Sequence, residues 1–222
     1  MSIGYVRGLR ILIRAFRGLP AGDRIHILGR YLTCPFTRVL DEFPPDARVL
    51  EIGSGHGLFA LLIAENGARE VIGVDPDLRK SLLHSPSPRV RKVAGYDGCV
   101  RGTFDAIAIC DVAYRLPLDV QRALFARVLD RLRPGGVLVL KEMDSGHGWK
   151  MKWARFQEWL SDTFLHLTHG EGFTYESRDD VRGMLEELGF VGFSARAIDS
   201  GYPHPHIVYT ARKSKLNLRY PS

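Results

Sequence analysis

Three glycines at alternate positions, Gly53, Gly55 and Gly57, follow an acidic residue, Glu51, and precede an apolar run that opens with Leu58, Phe59 and Ala60. Glycine lets a chain turn sharply and brings backbone close to a ligand with no Cβ in the way. Val49, Leu50 and Ile52 suit a central parallel strand, which is apolar on both faces. Leu58 to Glu65 suits a helix whose free N–H groups point back at the turn. Together they predict a cofactor cradle at the end of strand one. A carboxylate, Asp75, closes a second apolar stretch eighteen residues past Gly57. Folds of this kind place a ribose-binding acid about 20 residues on. The spacing is G-x-G-x-G, not G-x-G-x-x-G, and Leu58 stands where the third dinucleotide glycine would fall. A nicotinamide dehydrogenase is therefore disfavoured.

With these residues the chain resembles the class I S-adenosylmethionine (SAM)-dependent methyltransferases, over roughly residues 46–213. The resemblance implies a Rossmann-like α/β fold: a seven-stranded sheet, order 3-2-1-4-5-7-6, with strand 7 antiparallel and helices on both faces. It implies that Glu51, Gly53, Gly55 and Gly57 line the methionine end of SAM and that Asp75 takes the ribose hydroxyls. Asp97, in the turn after strand three, would accept from the adenine amino group; a turn Asp is the competing reading. Ser54, Pro76 and Asp111 complete the expected cofactor set. The product would be S-adenosylhomocysteine.

The elements that must hold these residues follow in order. Strand two ends at Asp75, with Pro76-Asp77 opening a short helix to about Leu83. Val90–Ala94 is strand three and Phe104–Cys110 strand four. A helix over about Asp119–Leu132 leads to a tight turn, Arg133-Pro134-Gly135-Gly136, before strand five, Val137–Lys141. Ser177 and Asp180 form a capping box for a helix to Leu188. Phe190–Ile198 and Ile207–Arg212 make the closing hairpin.

Asp111-Val112-Ala113-Tyr114 sits where amino-methylating nucleic-acid enzymes carry Asp/Asn-Pro-Pro-Tyr/Phe. Both prolines are missing, so nucleobase amino methylation is discounted. Methyl transfer is an in-line displacement in which the protein mainly aligns acceptor and methyl. An oxygen acceptor also needs a base. Tyr114, Asp144, His147, His169 and His204 lie at edges where such a group belongs. His204 and His206 share a face in an extended chain, but no third metal ligand is found, and no metal site is read.

The chain has 222 residues, 45% of them hydrophobic, enough for one domain with a sizeable core. Cys34, Cys99 and Cys110 are dispersed and suggest neither zinc nor disulfides. That fits a reducing, cytoplasmic compartment. No apolar run spans a bilayer, and arginines break the N-terminal apolar stretch, so neither a transmembrane segment nor a signal peptide is expected.

The net charge of +6 is uneven: residues 1–30 hold six arginines against Asp23 alone. Arg7, Arg10, Arg14 and Arg17 recur along one stripe of a predicted helix over 4–18, beside Leu9, Leu12, Ile13 and Phe16. That pattern suits the inner face of an anionic membrane, an acidic carrier protein or RNA. It also suits a cap packed on the core. Residues 1–45 are read as a basic helical cap, within which Tyr31 and Arg38 could cover the SAM pocket. Residues 145–176 are read as a helical acceptor or lid insertion, with Trp149, Trp153, Phe156, Leu160, Phe164 and Leu167 on one face. Residues 214–222 are a tail. The aromatic insertion and basic cap point to a hydrophobic small-molecule, lipid or carrier-bound acceptor, with a weaker resemblance to bacterial lipid or aryl-polyene pathway methyltransferases. An RNA methyltransferase, favoured by a pI of about 9.4, and a non-catalytic SAM-binding protein are the alternatives.

Overall fold

The computed structural model describes residues 3–81, 87–144 and 177–215. Seven strands form one sheet: β1 (Arg48–Ile52), β2 (Glu70–Asp75), β3 (Val90–Ala94), β4 (Phe104–Cys110), β5 (Leu132–Met143), β6 (Phe190–Ala197) and β7 (His206–Lys213). Their order is β3-β2-β1-β4-β5-β7-β6. Pairings from β3 to β5 are parallel, and β7 runs antiparallel to both β5 and β6. This is the sheet that the methyltransferase resemblance implies.

Six helices are described: α1 (Tyr5–Ala15), α2 (Ala21–Thr33), α3 (Leu58–Glu65), α4 (Leu78–Ser81), α5 (Leu118–Arg131) and α6 (Arg178–Glu187). Successive strand side chains point to opposite faces. Val49 therefore packs with Leu12, Ile27 and Phe59 on the α1–α2–α3 side, while Leu50 packs with Leu124, Phe125 and Leu185 on the α5–α6 side. The two layers fix the carboxyl ends of β1, β2 and β4 along one edge. The predicted capping box of α6 is formed by Ser177 and Asp180.

Strand five differs from expectation. It begins at Leu132, and the pairing jumps from Phe104–Leu132 to Ala106–Val137. The Arg-Pro-Gly-Gly turn is thus a bulge inside the strand, with Gly135 at φ 80°.

The N-terminal segment packs on the core. Leu12 and Phe16 are buried, whereas Arg7, Arg10, Arg14 and Arg17 face outward. Gly8 is an apparent weakness in α1, but a Cβ there would lie 2.3 Å from Tyr31 Oη. That hydroxyl donates to Tyr5 O at 2.7 Å, so the glycine lets α1 and α2 touch. The expected aromatic stripe, the whole of the predicted lid and the end of the tail lie outside the described residues.

Candidate functional site

The glycine bend is built as the sequence requires. Gly53, Gly55 and Gly57 have φ of 80°, 52° and 83°, a region that side chains disfavour. The Gly53 and Ser54 amides both donate to Val74 O, tying the bend to β2. The Asp75 carboxylate accepts from Gly55 N at 2.7 Å and from Asp77 N at 2.9 Å. The N-cap residue of α3 is Gly57, which has no side chain to cap the helix, and Glu51 takes the backbone N–H of Ala60 in the first turn.

Glu51 is buried beneath this bend. Burial pushes its carboxyl up to about 8, against the pull of Arg30. Its Oε2 and the Ser54 hydroxyl are buried without hydrogen-bond partners. Gly73 on β2 makes room for both, since a Cβ there would sit 2.7 Å from Ser54 Oγ. Two orphaned acceptors behind a cradle that a Cβ would fill are what a cofactor's ammonium and hydroxyl groups complete.

A cleft of about 570 Å³, open to solvent, lies over the bend. Glu51, Gly53, Ser54, Gly55 and Asp75 line one side. Its other wall is the N-terminal segment: His26, Ile27 and Arg30 of α2, then Phe36. His56, inside the glycine bend, holds this wall in place. Its Nε2 lies 3.2 Å from Asp23 Oδ1, and its ring lies tilted against that of His26 with the centroids 5.4 Å apart. Burial lowers the pKa of both histidines. The cover is therefore not made by the residues expected for it. Tyr31 is buried against Gly8 and Tyr5, and Arg38 donates to Ile198 O and stacks on Tyr202. A signal was available in His26 and Arg30, four apart on one helix face.

Behind the cleft is a buried ion cluster. Asp111 follows β4 with φ 58°, and its carboxylate accepts from Arg30 at 2.9 Å and from Lys141 Nζ at 2.5 Å. Burial alone would raise the Asp111 pKa, but Lys141 and Arg30 hold it at about 2. Both cations are correspondingly raised, despite burial, by Asp111. Asp111 thus positions Arg30 and does not line the cleft. The guanidinium has further N–H donors for a cofactor carboxylate. Beside this cluster, Glu142 accepts from Val112 N and Ala113 N and pins the loop after β4. Burial and nearby Asp111 push it to about 8. Lys141 and Glu142, two charges closing an apolar strand, were the sequence signal for this buried cluster.

His206 meets Thr33 O through Nε2 at 3.1 Å. A carbonyl only accepts, so Nε2 carries the proton and Nδ1 is a lone-pair acceptor. That Nδ1, and the Nδ1 of His204, are buried without partners. Burial, then Lys141, lower the pKa of His206 to about 4. Burial and then Lys141 lower His204 as well.

The other expected residues are placed as follows. The Asp97 carboxylate is buried and turned to Arg127 of α5 at 3.1 Å, and it does not line the cleft. Pro76 is exposed between Asp75 and Asp77. Tyr114 is buried, its Oη accepts from Arg115, and burial pushes it up to about 12, which unfits it as a base near neutrality. Asp144 is held by Arg178 at 2.5 Å. His147 and His169 lie outside the described residues. Among the described residues no three His, Cys, Asp or Glu could hold a metal.

A family model described as a methyltransferase domain matches residues 25–194, most of the chain. The chain belongs to this family. It is a class I SAM-dependent methyltransferase, and SAM is its cofactor. The fold is also that of solved methyltransferases. One is 1,6-didemethyltoxoflavin-N1-methyltransferase from Burkholderia thailandensis, solved with 1,6-didemethyltoxoflavin and S-adenosylhomocysteine bound. It is 17% identical with a TM-score of 0.62, over 96% of this chain and 92% of that one. Another is the cyclopropane synthase MmaA2 from Mycobacterium tuberculosis, 15% identical with a TM-score of 0.62, over 80% of this chain and 82% of that one. In this methyltransferase Glu51, Ser54, Asp75 and Arg30 all line the cleft over the glycine bend.

Proposed function

We propose that this methyltransferase moves a methyl group from SAM to a hydrophobic small-molecule, lipid or carrier-bound acceptor. Bound SAM supplies a methyl already activated on sulfonium, so the chain's task is alignment and dehydration. The observation that carries the reading is the position of Ile27. It lines the cofactor cleft on one side of α2 and, on the other, an apolar groove with Leu12, Phe16 and Leu28. The cofactor's cover is thus a thin apolar wall. Where the acceptor is a hydroxyl, the neutral imidazole of His204 is better suited to take its proton than Tyr114 or the paired Asp144.

Incubation with methyl-labelled SAM and a fractionated cell extract tests this. Label is expected in the organic-soluble fraction. Label in RNA would instead support an RNA methyltransferase. SAM binding with no transfer to any fraction would support a non-catalytic SAM-binding protein.

A further inference from the structure

The outer surface of the α1–α2 cap has two features that neither the cofactor cleft nor the core explains. The first is apolar. Val6 and Ile13 lie seven residues apart on α1, and Ile25 and Leu32 seven apart on α2, and each is at least 50% exposed. Residues at that spacing fall on one side of a helix. Between the helices runs a groove of about 440 Å³ lined by Leu12, Ile13, Phe16, Ile27 and Leu28, with Arg24 at its edge. The second feature is charge. Arg7, Arg10, Arg14 and Arg17 are exposed on α1 and the turn after it, and Arg24 on α2. None of the five has an ion pair among the described residues, whereas Arg30, on the cleft side, is paired with Asp111.

Unpaired arginines beside exposed aliphatic side chains match one kind of partner closely: a layer that is anionic at its surface and apolar just beneath. A second copy of the chain fits poorly, because a symmetric contact would set the arginines against each other. RNA would use the arginines but not the aliphatic stripes. Its usual stacking platform is also missing, since the aromatic residue here, Tyr5, is already stacked on Tyr31 at 5.1 Å.

We propose that the α1–α2 cap docks on an anionic phospholipid surface, with the arginines at the headgroups and the groove taking an acyl chain. Docking of this kind sets the cofactor cleft against the bilayer with only α2 between, since Ile27 borders both. The proposal does not depend on the acceptor being a lipid.

Flotation of the full chain with vesicles tests it, using pure phosphatidylcholine and equal-parts phosphatidylcholine–phosphatidylglycerol. Binding is expected to the anionic vesicles only and to weaken as salt is added. Arg10→Ala with Arg14→Ala is expected to weaken it about thirty-fold, at ~1 kcal/mol per arginine. Ile13→Asp is expected to weaken it too. Calorimetric titration with S-adenosylhomocysteine should be unchanged in all three proteins, which separates lost docking from lost folding or cofactor binding. Equal binding to both vesicles, binding to neither, or undiminished binding by the arginine variant overturns the proposal. So does retention on total RNA without vesicle binding, or a solution dimer that hides this face.

Discussion

The Gly55 amide donates to Asp75 Oδ2 at 2.7 Å, so the bend after β1 is fastened to the acid that closes β2. The same carboxylate accepts from Asp77 N. Asp75 therefore shapes the cradle as well as lining the cleft above it. Asn at this position has one carbonyl oxygen and one amide nitrogen, so it cannot accept from both backbone groups in the same way. Hydrogen bonds to a charged group contribute ~1.5–3 kcal/mol. Asp75→Asn is expected to weaken S-adenosylhomocysteine binding at least about tenfold by calorimetry. Unchanged affinity would remove Asp75 from the cofactor site.

Glu51 links cofactor binding to protons. With its carboxyl raised to about 8 by burial, against the pull of Arg30, it is protonated at neutral pH without the cofactor. A cofactor ammonium beside the orphaned Oε2 favours the carboxylate, so binding should release a proton. Affinity is then expected to rise with pH up to about 8 and to level off above it. The observed enthalpy should differ between buffers of different ionisation enthalpy. Glu51→Gln is expected to abolish both effects. The raised pKa also means that Glu51 costs no stability below its ordinary value of 4.5 and an increasing amount from there to about 8. Glu51→Gln without cofactor should therefore gain melting temperature over wild type progressively across that window.

Strands, glycine bend and sheet order were legible because each rests on local pattern: apolar runs of strand length, glycines at forced positive φ, and an acid at a fixed offset. What the sequence hid is long-range. Asp97 reads as a turn acid at an adenine edge until α5 brings Arg127 to it, thirty residues away. Tyr31 reads as a pocket cover until Gly8 shows that it belongs to the helix contact. Asp111 reads as a cofactor ligand until Lys141 and Arg30 arrive from β5 and α2. In each case the sequence shows the polar group but not the distant protein partner that holds it. By contrast, Glu51 and Ser54 line the cleft, and each keeps a buried oxygen with no hydrogen-bond partner.

The Asp111–Lys141 pair should be costly to break and cheap to replace. Removing one member of a buried pair costs ~3–5 kcal/mol. Arg30 still faces Asp111, so Lys141→Met should fall toward the lower end in urea denaturation. Adding Asp111→Asn removes the buried charge and keeps a residue that tolerates φ 58°. The double variant should recover most of the loss. Because Asp111 is held at about 2, its contribution is present above the ordinary 3.8 and disappears as pH falls between those values. Asp111→Asn should flatten that acid limb. Simple addition of the two single losses would show that the residues do not act as a pair.

Gly8 sets two rules against each other. Helix propensity alone says that Gly8→Ala gains up to about 1 kcal/mol in α1. Packing says the opposite, because the new Cβ would fall 2.3 Å from Tyr31 Oη and 3.1 Å from its Cζ. Tyr31 cannot retreat cheaply: it is fully buried and its hydroxyl is bonded to Tyr5 O. Overpacking of this kind costs ~1–3 kcal/mol and outweighs the propensity gain. Gly8→Ala is therefore expected to lower the melting temperature. Tyr31→Phe deletes the atom in closest conflict, so Gly8→Ala should cost distinctly less in that background than in wild type. A non-additive double-mutant cycle by thermal or urea denaturation checks this. A stabilised Gly8→Ala single variant would mean that α1 is not held against Tyr31 at all, and that the cap covers the cleft by α2 alone.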